Sequence, residues 1–126
     1  MPTSYKIDKT RRLVLSEGSG VLTMPDLRAH QDRLASDPHF SADYSQLYDL
    51  TQVTDVELTP NDVRRLAQRS VFLPNARRAV LVSSDVVFGL SRMFEMFRES
   101  LGETGIRVFR DHAEAIAWVL GKSAAV

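Results

Sequence analysis

Apolar and polar positions alternate at the start of the chain. Tyr5 and Ile7 stand between Ser4, Lys6 and Asp8, and Leu13, Val14 and Leu15 follow the polar run Asp8-Lys9-Thr10-Arg11-Arg12. A period of two belongs to a strand with one buried face, so this segment predicts two short strands closed by a tight turn, a β-hairpin. Gly18-Ser19-Gly20 is expected to break it. From Thr23 the period lengthens to that of a helix, with Thr23 as N-cap, Pro25 in the first turn, Asp26 at N3, and Met24, Leu27, Leu34 and Ala35 on one face. Asp37-Pro38 should end this helix, because the residue before a proline is driven out of the α region.

Further along, Leu47-Tyr48-Asp49-Leu50 predicts a short strand, and Thr59-Pro60-Asn61-Asp62 opens a helix with Val63, Leu66, Ala67 and Ser70 inward. After a turn at Pro74-Asn75, Ala79-Val80-Leu81-Val82 is apolar at every position. Such a run predicts a strand covered on both faces, expected at the centre of the sheet. Ser84 or Asp85 caps a long helix with Val86, Leu90, Met93, Phe94, Phe97 and Leu101 at spacings of three and four, ending near Gly102. Ile106 to Phe109 predicts the last strand, and Asp111 to Glu114 a capping box for a last helix with Ala113, Ile116, Ala117 and Leu120 inward, stopped by Gly121. The order β-β-α-β-α-β-α-β-α predicts an α/β fold with a mixed, mostly parallel five-stranded sheet and four helices. Without repeats or a linker, residues 1–126 read as a single domain.

Composition narrows the function classes. The 126 residues include no Cys, which excludes disulfides, thiolate zinc sites and a Cys nucleophile. Neither a signal-peptide core nor an apolar run of membrane-spanning length is present, so a cytoplasmic protein without membrane insertion is expected. Sixteen basic residues balance sixteen acidic ones, which argues against nucleic acid as a partner. That balance is uneven along the chain. Between Ser41 and Glu57 the charges are Asp43, Asp49, Asp55 and Glu57, whereas Arg64, Arg65, Arg69, Arg77 and Arg78 dominate the stretch from Asn61 to Arg78. A local site with both signs is expected where they meet.

The order of several short segments resembles the SpoIIAA-like (STAS-domain) family, and more closely its small uncharacterised bacterial STAS-like and CRAL-TRIO-like members. The segments are Gly20-Val-Leu-Thr23, Asp37-Pro-His-Phe40, Leu47-Tyr-Asp-Leu50 followed by Thr54-Asp55, Arg78-Ala-Val80, Gly89-Leu90 with Met93, and Val108-Phe-Arg-Asp111 with Glu114-Ala115 and Trp118. The resemblance covers nearly the whole chain and implies the SpoIIAA-like fold. In anti-sigma factor antagonists of that family a serine at the start of the helix after the third strand is phosphorylated. Here Leu58 stands at that position and Thr59 beside it, so Thr59 is the candidate phospho-acceptor, with helix capping as its other role.

Candidate chemistry is sparse. His30, His39 and His112 lie in different segments without metal-ligand spacing, and no G-x-S-x-G elbow, P-loop or G-x-G-x-x-G fingerprint occurs, so neither an enzyme, a metal nor a cofactor is expected. His30 is expected at the margin of the first helix's buried face. In open α/β sheets ligands bind outside the carboxyl ends of the strands. The candidates there are Asp49, Thr51, Thr54, Thr59, Ser83, Ser84, Asp85 and Arg110, although most of them also suit helix caps. Asp49, a carboxylate within a strand, calls for a partner, expected from Arg64, Arg77, Arg78 or Arg110. On the long helix Val86, Leu90, Phe97 and Leu101 centre the expected core face. Gly89, Met93 and Met96 lie along its flank and Phe88 points nearly away. These four form a candidate homodimer interface rimmed by Arg92, Glu95, Arg98 and Glu99; a hydrophobic-ligand entrance is the other reading. Trp118 is expected to pack across the sheet edge. The sequence therefore predicts a non-enzymatic module that binds a protein partner or a small anionic or apolar ligand, or else a lipid carrier with a pocket between the sheet and the helix bearing Phe94 and Phe97.

Overall fold

A computed structural model describes residues 2–69, 71–102 and 105–121. Ser70, expected on the inner face of the second helix, lies outside the described residues. Five strands, β1 (Thr3–Asp8), β2 (Leu13–Thr23), β3 (Ser45–Glu57), β4 (Arg78–Leu81) and β5 (Ile106–Phe109), form one sheet in the order β1-β2-β3-β4-β5. β1 and β2 make the expected antiparallel hairpin, and the other neighbours are parallel. The strand at the centre is β3, not the uniformly apolar β4.

Strand alternation divides the core in two. Leu13, Leu47, Ala79, Leu81 and Phe109 point to one face and pack on Ala115 and Val119 of α4 (His112–Val119). The opposite face carries Tyr5, Val14, Leu50, Val80 and Val108, and is covered by α1 (Met24–Ala35), α2 (Pro60–Ala67) and α3 (Asp85–Ser100). The helix starts follow the sequence signals. Thr23 with Asp26 and Thr59 with Asp62 form reciprocal capping boxes with proline in the first turn, while Ser84 and Asp111 each accept a backbone N–H at their helix starts. Gly102, at φ +90°, follows the Leu101 C-cap of α3. A side chain at Gly105 would run into the Ala76 carbonyl, so only glycine lets the chain enter β5 beside β4.

Two strands run longer than expected. Gly18-Ser19-Gly20 does not break β2. It carries register shifts against β3, with Gly20 at φ +66°, and pairing continues to Thr23 opposite Glu57. β4 pairs with β3 only as far as Leu81 opposite Asp49, so beyond that point β2 and β3 form a two-stranded ribbon. Bulges bend a strand, and here the ribbon buries Leu22 and Val53 against Val82 and Val87.

Two helices are rotated from their expected orientation. α3 buries Val87, Ser91, Glu95 and Arg98, while Val86 (64% exposed), Met96 (61%) and Leu101 (57%) face outward. Apolar residues occur all round this helix, so periodicity left its phase open; the Arg98 side chain decides it by donating to the carbonyls of Ala67 and Arg69 at the end of α2. A cation there satisfies orphan carbonyls and opposes the helix dipole. In α4 Ala115 and Val119 are buried and Ala113 is exposed, because Ala113 falls in the first turn beyond the sheet.

Candidate functional site

The residues expected at the strand ends lie in two groups. Asp49, Thr51 and Ser83 meet where β3 and β4 end: Asp49 accepts from the Thr51 amide (2.9 Å) and hydroxyl (2.6 Å), and Ser83 donates to the Thr51 carbonyl (3.1 Å). Ser84 caps α3, and its neighbour Asp85 pairs with Arg110 at 2.7 Å. Thr54 is exposed on the ribbon and Thr59 caps α2, away from that cluster. Asp49 has no arginine partner among the described residues, because its neighbour Thr51 supplies two donors first. The four proposed arginines are placed elsewhere: Arg64 over Phe97, Arg77 over Trp118, Arg78 in the interior and Arg110 on Asp85 and over Phe88. The expected mixed-charge site is therefore not assembled among the described residues: Asp49 is held by Thr51, Asp43 pairs with Arg12, Arg69 pairs with Asp32 and Arg77 donates to the Trp118 carbonyl.

The candidate interface residues also divide. Gly89 and Met96 are exposed and Met93 is half-buried, but Phe88 turns inward against the Val53–Val87 cluster. Glu95 and Arg98, expected on the rim, are buried. Trp118 packs against Phe109 as expected, with ring centroids 5.5 Å apart.

The largest concentration of unmet chemistry lies under α1, α2 and α3. A cavity of about 120 Å³ opens there against the sheet. One end is apolar, walled by Leu22, Leu27, Leu50, Val56, Val63, Val87 and Leu90, with the β2–β3 ribbon as part of the wall. The other end is polar, and the register explains why. Gln46 lies opposite Arg78, and Ser16 lies opposite Tyr48, so alternation puts all four on one sheet face.

These groups form a chain of hydrogen bonds. Arg78 Nε donates to Gln46 Oε1 (3.2 Å), Gln46 Nε2 donates to Ser16 Oγ (3.0 Å), and Ser16 Oγ bonds His30 Nε2 (3.0 Å). His30 is only 2% exposed, not marginal, and stacks on Tyr48 with centroids 5.0 Å apart. Burial, helped by Arg33 and Arg78, pulls its pKa down to about 4. Ser16 and His30 have the spacing of a nucleophile and base, yet Ser16 is buried, His30 is a poor base at neutral pH, and no carboxylate bonds the ring among the described residues.

Other polar atoms in the cavity wall have no partner. The guanidinium of Arg78 lies 4.6 Å from the Phe72 centroid and 5.8 Å from that of Phe94, and among the described residues only its Nε is hydrogen-bonded. Among the described residues the Tyr48 hydroxyl, Gln31 Oε1 and Arg69 NH1 are buried without a hydrogen bond. Burial, followed by the charge of Arg98, lowers the Arg78 pKa to about 9, and burial raises that of Tyr48. Arg78 is half-buried and lines the cavity. Among the described residues no Asp or Glu lines the cavity. The site was invisible to motif searches because it is a row across three strands. The inward polar positions Ser16, Gln46 and Arg78, on strands that are otherwise apolar inside, were the available signal.

No protein-family model matches this chain, and no curated protein matches it. Among solved structures it is similar to the crystal structure of an uncharacterized protein from the DUF3478 family with a SpoIIAA-like fold, from Shewanella loihica PV-4. The two share 18% identity over 93% of each chain, with a TM-score of 0.60. That likeness shows the fold, which is SpoIIAA-like, as the resemblance implied. No helix among the described residues is long and apolar enough to cross a membrane.

Proposed function

We propose that this SpoIIAA-like domain is a non-enzymatic binding module whose ligand is a small molecule with an apolar part, held in the cavity between the sheet and α1, α2 and α3. The observation that carries this reading is a single cavity walled on one side by aliphatic side chains and on the other by buried polar atoms without partners. Native interiors pair nearly all buried polar groups, and ligand pockets are mostly apolar with a few convergent polar groups, so the combination supports the reading of a binding site. A lipid carrier is the same reading with a longer occupant, and a cavity of about 120 Å³ favours a smaller one.

The test is a methyl-resolved NMR titration with 1-hexanol and hexanoate. Selective shifts at Leu22, Val56, Val87 and Leu90 are expected. If neither compound moves these methyls at millimolar concentration while the spectrum stays dispersed, the cavity is not a ligand site. Small molecules extracted from protein purified under native conditions, identified by mass spectrometry, supply the natural occupant.

A further inference from the structure

We propose that the cavity selects a carboxylate-headed amphiphile, its carboxylate seated on the Arg78 guanidinium and the Tyr48 hydroxyl, and its single ring or short chain among Leu22, Leu50, Val56 and Val87. The inference rests on the reading of the cavity as a ligand site and adds the ligand's chemistry.

Charge comes first. The polar end offers mainly donors, and among the described residues no acidic side chain lines the wall, so an anion is the occupant that complements it. Geometry then selects the head group. Arg78 spends Nε on Gln46 and lies 4.6 Å from the Phe72 centroid and 5.8 Å from that of Phe94, and among the described residues its two terminal nitrogens have no hydrogen-bond acceptor. A planar fork with two parallel donors matches a carboxylate. Tyr48 lies two residues along β3 from Gln46, on the same face, with a buried hydroxyl that makes no hydrogen bond. It supplies a third donor.

Size limits the tail. A cavity of about 150 Å³ holds benzene, so about 120 Å³ holds at most one small ring or a chain of about five carbons, the length of the hexanoate tail. The aliphatic end of the cavity faces away from the Arg78 row, along the strands toward the ribbon, so head and tail have separate walls.

The experiment compares hexanoate, 1-hexanol and hexyl phosphate by calorimetry at pH 7, on wild type and on Arg78→Met and Tyr48→Phe, each checked for a dispersed NMR spectrum. Tyr48→Phe removes one oxygen and keeps the ring that stacks on His30. Hexanoate is expected to bind at least about tenfold tighter than 1-hexanol, the size of one charge-assisted hydrogen bond or more. Arg78→Met should abolish that preference, and Tyr48→Phe should weaken hexanoate about five- to tenfold with little effect on 1-hexanol. Equal binding of hexanoate and 1-hexanol overturns the carboxylate assignment but leaves the cavity a binding site. So does tighter binding of hexyl phosphate, or a preference that survives both substitutions. Failure of all three compounds to bind overturns both readings.

Discussion

Arg78→Met should make the unliganded protein more stable. In the unfolded chain the guanidinium keeps its ordinary, far higher pKa, whereas in the fold burial, and then the neighbouring Arg98, bring it down to about 9. A base whose folded pKa lies below its unfolded value opposes folding at every pH below the folded value. That opposition fades as pH rises above about 9. At about 1.4 kcal/mol per unit, the charge costs the free protein about 5 kcal/mol at neutral pH. Offsetting it are the Gln46 hydrogen bond, worth about 1.5–3 kcal/mol to a charged donor, and the Phe72 face, worth about 0.5–2 kcal/mol. Methionine keeps the reach of the side chain and its contact with both rings, and the Gln46 oxygen it strands lies on the cavity wall where water can reach it. The balance favours the variant by about 1 kcal/mol, or about 4 °C in Tm for a chain of this length. Urea denaturation followed by circular dichroism at pH 7 and pH 9.5 reads it: the midpoint should rise with the m-value unchanged, and the gain should shrink at the higher pH. A variant less stable than wild type by more than about 1 kcal/mol at pH 7 refutes the reasoning, because Arg78 then holds the fold together and needs no ligand to account for it.

Three other outcomes follow from the same structure. His30 is buried and neutral with a pKa of about 4, below the unfolded value of 6.5, so acidification protonates the unfolded chain first. Stability should fall by about 2 kcal/mol between pH 7 and pH 5, and equal urea midpoints at those pH values would remove His30 from the account. Thr59→Ala should cost about 1 kcal/mol by losing the capping box with Asp62, while Thr59→Asp, another good cap, should cost far less; a neutral Thr59→Ala means the cap contributes nothing. Met96 is 61% exposed, two turns along α3 from Gly89; if α3 carries the expected homodimer, Met96→Glu should halve the mass read by light scattering while keeping a native circular dichroism spectrum, and a monomeric wild type sinks the interface.

What the sequence shows and what it conceals have physical reasons. Helix starts were legible because capping is local: Thr23, Thr59, Ser84 and Asp111 each act on an amide three residues away. Helix phase was less legible. The spacing of Val86, Leu90 and Phe97 fits an inward face as well as a flank, and the decision came from Arg98 reaching the end of α2, a contact between residues about thirty apart. Strand ends were missed for a similar reason, since the ribbon extending β2 and β3 depends on their mutual pairing and not on the composition of either. Of the strand-end candidates, Thr51 meets Ser83 and Asp85 meets Arg110, and these groups satisfy one another. The pocket under the helix bearing Phe94 was anticipated, but its polar end depends on the register of three strands, which a single sequence does not display.

That polar end also couples the ligand to a titration. Arg78 is one of the charges that hold the His30 pKa down, after burial and Arg33, and the two side chains are linked through Gln46 and Ser16. A carboxylate seated on Arg78 cancels part of that charge. The His30 pKa should therefore rise from about 4 when hexanoate binds, by less than one unit because burial is unchanged. Linkage is reciprocal, so protonated His30 must in turn favour the carboxylate by the same factor. NMR titration of the His30 ring protons from pH 7 down to about pH 5.5, where the ligand is still mainly ionised, reads the shift as an earlier onset of protonation in saturating hexanoate, and 1-hexanol, which carries no charge, should leave the onset in place. An unchanged onset in saturating hexanoate means the carboxylate does not sit on Arg78, even if the methyls of Leu22 and Val87 report a bound chain.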